Sequence, residues 1–247
     1  LALNYLSIKD LADDVGARLD IGSPTASTVP TSTQILQWLN LAQTDIIGRA
    51  VNEALKPLWK QNSETIGGGK IQPVVGSLNY FYYRGLTDDG ANDINDVERI
   101  VSAEYWPHGF TAFSNVGVFV ILPHEEAINS LVRGDISVSM TNPVGWVRDQ
   151  KFYFYVGSTQ PHAGDSVRIN YIKVPTKIVS AGWASTYPDF PLHFQESMIQ
   201  FALIRAKLQD QKIEEIPALE SEYKQRILEI NQLALANYAK VVAELIK

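Results

Sequence analysis

Four histidines are the first candidates for metal or acid–base chemistry: His108, His124, His162 and His193. No two stand within five residues of one another, so no local HxH or HExxH ligand pair exists. His124-Glu125-Glu126 opens like a metalloprotease helix but lacks the second histidine, and it reads as a polar helix start. Gly67-Gly-Gly-Lys70 has the flavour of a phosphate loop. That motif needs Gly at position 64 and Ser or Thr after the lysine, where this chain has Glu64 and Ile71. A flexible hinge is the expected role. The densest acidic run, Asp88-Asp89-Gly-Ala-Asn-Asp93-Ile-Asn-Asp96, fails the alternate-position spacing of an EF-hand, and reads as a solvated loop. Glu214 and Glu215 fall in a polar connector, and no G-x-S-x-G elbow is present. The aromatic runs Tyr80–Tyr83 and Phe152–Tyr155 could stack bases or sugars. Alternate strand residues face opposite sides, so one face is expected in the core and the other at a subunit contact. No catalytic set, cofactor or metal site is expected.

Composition narrows the class further. The chain has 247 residues, of which 45% are hydrophobic and 19% charged, a globular balance large enough for one or two domains. There is no cysteine, which excludes disulfides, thiolate catalysis and cysteine zinc sites. No run of 18 apolar residues exists, and Leu1–Asp10 lacks the basic start of a signal peptide, so no membrane partner is expected. Net charge is −6, and Lys and Arg are scattered rather than clustered. Tight DNA binding is disfavoured, whereas passage of DNA past the surface is not.

The elements fall into three parts. Ser7 and Asp10 have the spacing of a capping box with Asp in place of Glu, followed by the apolar stripe Ile8, Leu11, Val15 and Leu19. Gly22–Thr33 is a Ser/Thr/Pro-rich loop. A second helix runs from about Thr33 into the 50s through Ile35, Leu39, Ala42, Ile46 and Ala50, and Pro57 should kink or end it. Short β-branched and aromatic runs then follow: Ile71–Val75, Tyr80–Tyr83, Val97–Tyr105, Val116–Leu122, Ile136–Met140, Lys151–Val156 and Ser166–Val174. This pattern predicts antiparallel strands, interrupted by a short helix at about Glu125–Leu131. Helical spacing returns near Leu192. Pro217 opens a last helix in which Leu219, Tyr223, Ile227, Ile230, Ala234, Asn237, Val241 and Leu245 step by three or four. Such a helix measures roughly 45 Å at about 1.5 Å per residue, more than one small domain needs to cover.

The expected fold is therefore α+β: a helical bundle from both chain ends (1–66 and 185–247) with an inserted antiparallel β-rich domain (67–184).

The order of these elements resembles the head–tail adaptor (head-completion, connector) proteins of tailed phages. Leu6-Ser-Ile-Lys-Asp-Leu-Ala-Asp-Asp-Val-Gly-Ala-Arg-Leu19 is similar to that family's first helix, and Ser32–Ile46, with its Trp38-Leu-Asn-Leu-Ala-Gln43 core, to the second. Lys151–Phe154, Pro161–Asp165 and Val167–Tyr171 resemble its paired strands, with Lys173-Val-Pro175 following. Pro188–Phe194 resembles the lead into the next helix, Gln200–Ala206 that helix, and Ala218–Leu233 the last. Residues 85–145 match no short version of the family and read as an enlarged sheet insertion.

The resemblance implies a structural virion protein made in the host cytoplasm. It would form a ring, commonly of twelve copies, below the portal protein at the head–tail junction. A tail or nozzle protein would dock below, and double-stranded DNA would pass through the hole without specific binding. Other tail components (tube, hub or fibre attachment) and a carbohydrate-binding module are the alternatives. The resemblance also places the portal contact in the C-terminal segment, on Tyr238, Val241, Val242, Leu245 and Ile246. Val241 and Leu245 continue the line from Ala234 and should face the bundle. Tyr238, Val242 and Ile246 lie on an adjacent line and should be left for a partner. The other reading of the five is that they finish the bundle's own core.

Overall fold

Helix α1 (Ile8–Arg18) begins at the capping box the sequence predicts. Ser7 Oγ accepts from Asp10 N at 3.1 Å, and Ser7 N donates to Asp10 Oδ2 at 3.0 Å. Two further donors of its first turn are satisfied from far along the chain: Ile8 N donates to Thr186 O and Lys9 N to Trp183 O. Helix α2 (Ser32–Arg49) starts at a second box, in which Thr31 N donates to Gln34 Oε1 at 2.8 Å and Gln34 N to Thr31 Oγ1. The computed structural model describes residues 6–65, 79–82, 96–109, 116–123, 137–148, 151–157 and 161–245, with isolated positions between 125 and 134.

The chain is α+β and divides into two units: one from residues up to Leu58 and from Pro175 onward, the other from Trp59 to Val174. In the first, α3 (Gln195–Gln209) packs against α1, α2 and α4 (Ile216–Leu245). Met198, Ile199, Phe201, Ala202, Leu203, Ile204 and Ala206 are all buried, so α3 is apolar nearly all round, as a helix with neighbours on every side must be. Leu11 and Val15 of α1 and Ile35, Leu39 and Ile46 of α2 complete this core.

The second unit holds two four-stranded sheets, ordered β1-β8-β3-β4 and β2-β7-β6-β5. Their strands are β1 (Trp59–Thr65), β2 (Asn79–Tyr82), β3 (Val97–Trp106), β4 (Gly117–Val118), β5 (Val120–Ile121), β6 (Val144–Arg148), β7 (Lys151–Tyr155) and β8 (Ser166–Lys173). All pairs are antiparallel except β5–β6. Val97, Ala103 and Tyr105 of β3, Val167, Ile169 and Tyr171 of β8, and Phe152 and Phe154 of β7 share one core with Phe119. Phe119 meets both phenylalanines edge to face, at 5.4 and 6.0 Å. Residue 145 must be glycine here, since a Cβ would lie 2.6 Å from the Phe152 ring. The alternation expected of Phe152–Tyr155 therefore holds: the phenylalanines are in the core, and Tyr153 is half-buried, stacked on Trp146 at 5.7 Å.

Several expectations need correction. Helix α2 ends at Arg49 rather than at Pro57, which sits inside a separate 3-10 turn, Asn52–Leu58. Residues 59–65, read with the helical module, form β1. This edge strand is polar, and Lys60, Gln61 and Ser63 are exposed, so no period-2 alternation marks it. Strands β7 and β8 do not pair with each other; they lie in different sheets. The described part of Ile136–Met140 makes only an isolated bridge at Ser139, while β6 follows unforeseen. Glu125, Glu126, Asn129 and Leu131 are helical, in line with the expected short helix. Ile71–Val75, the Gly67–Lys70 hinge and the Asp88–Asp93 part of the acidic run lie outside the described residues. Within 85–145, read as an enlarged sheet insertion, β3 is an interior strand of its sheet and supplies three core residues.

Candidate partner-docking surface

Helix α4 has Pro217 in its first turn, where the missing amide costs nothing, and no glycine or proline thereafter. Ala, Leu, Glu, Lys and Gln dominate it, all strong helix formers. Its first half is anchored. Ile216, Tyr223 and Ile227 are buried, and Tyr223 Oη donates to Asp45 Oδ2 at 2.6 Å. Asp45 also accepts from Arg49 Nε at 2.6 Å. Burial pushes the Asp45 carboxyl upward, but the bonds from Arg49 and Tyr223 outweigh it and hold it below its ordinary value. Burial, then the neighbouring Asp45 carboxylate, raise the Tyr223 phenol well above its usual range.

The anchor ends at Asn231. Its Nδ2 donates to Arg49 O and its Oδ1 accepts from Val51 N, both at 3.0 Å. One side chain thus pairs both backbone groups flanking Ala50, which is extended (ψ 142°) and buried. This clamp explains why α2 stops at Arg49. The sequence carried one signal for it: an asparagine four residues after buried Ile227, on the apolar line of the helix.

Beyond Asn231 the helix loses its cover. Leu233 is 65% exposed, Val241 52%, Tyr238 47% and Leu235 46%. One flank borders a groove of about 340 Å³ between α4 and the 3-10 turn, lined by Glu53, Ala54, Lys56, His193, Ile230, Ala234, Tyr238 and Val241 among others. The Lys56 ammonium lies 5.5 Å from the Tyr238 ring centroid. His193 Nε2–H donates to Ala54 O at 3.0 Å, and burial lowers its pKa despite that bond.

Of the five residues singled out from the sequence, Tyr238 and Val241 line this groove together. Val241 shares the groove with Ala234, the line expected to face the bundle, but is half exposed there, and Tyr238 lies beside it. Val242 is partly covered, Leu245 is the last residue of α4, and Ile246 lies outside the described residues. Lys56 and His193 join the surface without any sequence signal, because only the tertiary fold brings the 3-10 turn beside α4. Among the described residues no group of His, Asp and Glu could hold a metal ion, and no helix is long and apolar enough to cross a membrane. The arrangement offers an apolar groove with the Lys56 ammonium and the Glu53 carboxylate among its lining.

Residues 6–243 match the model of a protein family described as SU10 adaptor protein, a span that includes the stretch 85–145. No curated protein matches the chain.

Proposed function

The chain belongs to the SU10 adaptor family, and on that premise we propose that it forms a ring at the head–tail junction, below the portal protein. Membership makes it a structural adaptor of a phage virion. The finer reading is ours. About twelve copies close the ring, a tail or nozzle protein docks beneath, and double-stranded DNA passes through without specific binding. The protein works by contact and not by catalysis. A net charge of −6 per copy supports free passage, since repeated negative subunits repel phosphates.

One observation carries the portal contact: the outer half of α4 holds Leu233, Leu235, Tyr238 and Val241 about half exposed or more, on a helix whose inner half is clamped. In this reading Tyr238, Val241, Val242, Leu245 and Ile246 dock on the portal. Each apolar side chain buried there contributes roughly 1.5–3 kcal/mol before ordering costs, and a ring multiplies the sum. The test is deletion of residues 238–247, with circular dichroism, binding to portal-bearing heads, and electron microscopy of the joined particle. The expected result is a folded chain that no longer binds heads, with the full-length protein seen as a closed ring. Normal head binding by the truncated chain would place the portal contact elsewhere, and isolated copies on the particle would overturn the ring.

A further inference from the structure

A second opening lies on the helical unit, between α2, α3 and α4, about 260 Å³ in volume. Its floor is apolar: Phe201 and Ile204 are nearly buried, and Leu208 at its side is 47% exposed. Three cations, Arg49, Arg205 and Lys224, face two carboxylates, Asp45 and Glu220. Both carboxylates are engaged. Asp45 accepts from Arg49 and Tyr223, and Glu220 accepts from Lys224 at 3.0 Å. Arg205 has no carboxylate within ion-pair distance among the described residues. It is exposed, and its guanidinium sits 5.1 Å from the Phe201 ring centroid, which restrains the side chain in place. Among the described residues Arg205 is thus a guanidinium beside an apolar floor with no carboxylate at ion-pair distance, although Asp45 at the same opening feels its charge and is held lower by it.

We infer that this cleft is a second docking site, which takes an acidic, apolar-bearing peptide segment of a partner protein other than this chain. A carboxylate of that segment pairs with Arg205, whose planar fork matches it in two parallel hydrogen bonds. An adjoining apolar side chain covers Leu208 and the floor. A run of nucleic-acid phosphates fits poorly, because Asp45 and Glu220 stand at the same opening, and Asp45 is held ionised by its partners. The inference rests on the adaptor reading only in supposing that the chain joins more than one protein. It uses a surface distinct from the portal-docking end of α4.

The test is selection of a displayed library of random 12-residue peptides on the purified full-length chain, with parallel selections on Arg205→Glu and Arg205→Gln. Arg205 is exposed, so both variants are expected to keep the wild-type circular dichroism; Leu208→Ser supplies a third variant that leaves every charge in place. Peptides enriched on the wild type should carry Asp or Glu next to Leu, Ile, Met or Phe. Their affinity should fall roughly tenfold or more on the Arg205 variants, the effect of losing a charge-assisted pair, and should also fall on Leu208→Ser. Equal enrichment on all variants, or enriched peptides without a carboxylate, would overturn the proposal. So would self-association of the wild type that Arg205→Glu abolishes, which makes the occupant a second copy, or salt-sensitive binding of duplex DNA lost in the same variant. Failure here leaves head binding by the truncated chain unaffected, so the two readings fail separately.

Discussion

The two units satisfy their buried backbone in different ways. In the sheet unit the described strands pair along the ladders of two sheets, and one buried carboxylate, Asp165, serves the loops. Asp165 accepts from the His108 and His162 amides, each at 2.7 Å, and from the Tyr105 hydroxyl. In the helical unit, side chains reach irregular segments remote in sequence. Asn231 pairs Arg49 and Val51; Asn40 accepts from Ile178 N at 2.8 Å and donates to Ile178 O at 2.9 Å; Asp189 accepts from Thr176 N at 3.0 Å. The difference teaches where each unit is vulnerable. Among the described residues, the sheet unit gathers three donors on one buried carboxylate, and the helical unit places its long-range bonds on several side chains.

Three experiments sharpen or break that contrast. The largest effect should come from Asp165→Ala, which strips three donors of their acceptor in a buried place. At about 1–3 kcal/mol per unsatisfied group, a loss of about 3 kcal/mol or more is expected in urea denaturation. A loss under about 1 kcal/mol would mean the loops do not depend on it. Asn231→Ala should cost less, about 1–2 kcal/mol, because Asn231 is only partly buried and water can replace it. Hydrogen exchange at the Val51 amide should speed up, while amides of β3 and β8 keep their protection. The smallest effect concerns acid. The folded-state pKa of Asp45 is depressed below its unfolded value of about 3.9. Its contribution is therefore present above about pH 4 and lost as pH falls through the folded value. The stability gap between wild type and Asp45→Asn should close over that range. A gap that persists at the lowest pH would show that the Asp45–Arg49–Tyr223 contacts matter for packing rather than charge.

Much of the helical framework was legible in the sequence because its signals are local. Ser7 and Asp10 announce a cap, and the stripe of Ile35, Leu39, Ala42 and Ile46 announces a buried face. The end of α2 was not legible, because it is set by Asn231, 182 residues beyond Arg49. Strand positions were readable where one face is buried, as in Lys151–Tyr155, and unreadable in β1, where most side chains see solvent. Sheet membership is a further step that alternation cannot give: β7 and β8 share a pattern but not a sheet. For the candidate docking surface, the sequence marked Tyr238 and Val241 as apolar residues on a long helix. It could not show that Lys56 and His193 sit beside them, nor how much of Val241 stays exposed.

The clamp at Asn231 also makes α4 a cantilever. From Asn231 to Leu245 the beam extends about 21 Å, at roughly 1.5 Å per residue, past the last of its described hydrogen bonds to the rest of the unit. A tilt of about 5° at that support displaces the free tip by roughly 2 Å over this length, several times the margin of about 0.5 Å that separates a good hydrogen bond from none. Any tilt of the tip is thus levered about one asparagine and the backbone it grips. The direction of the far end follows from a side chain 14 residues away from it.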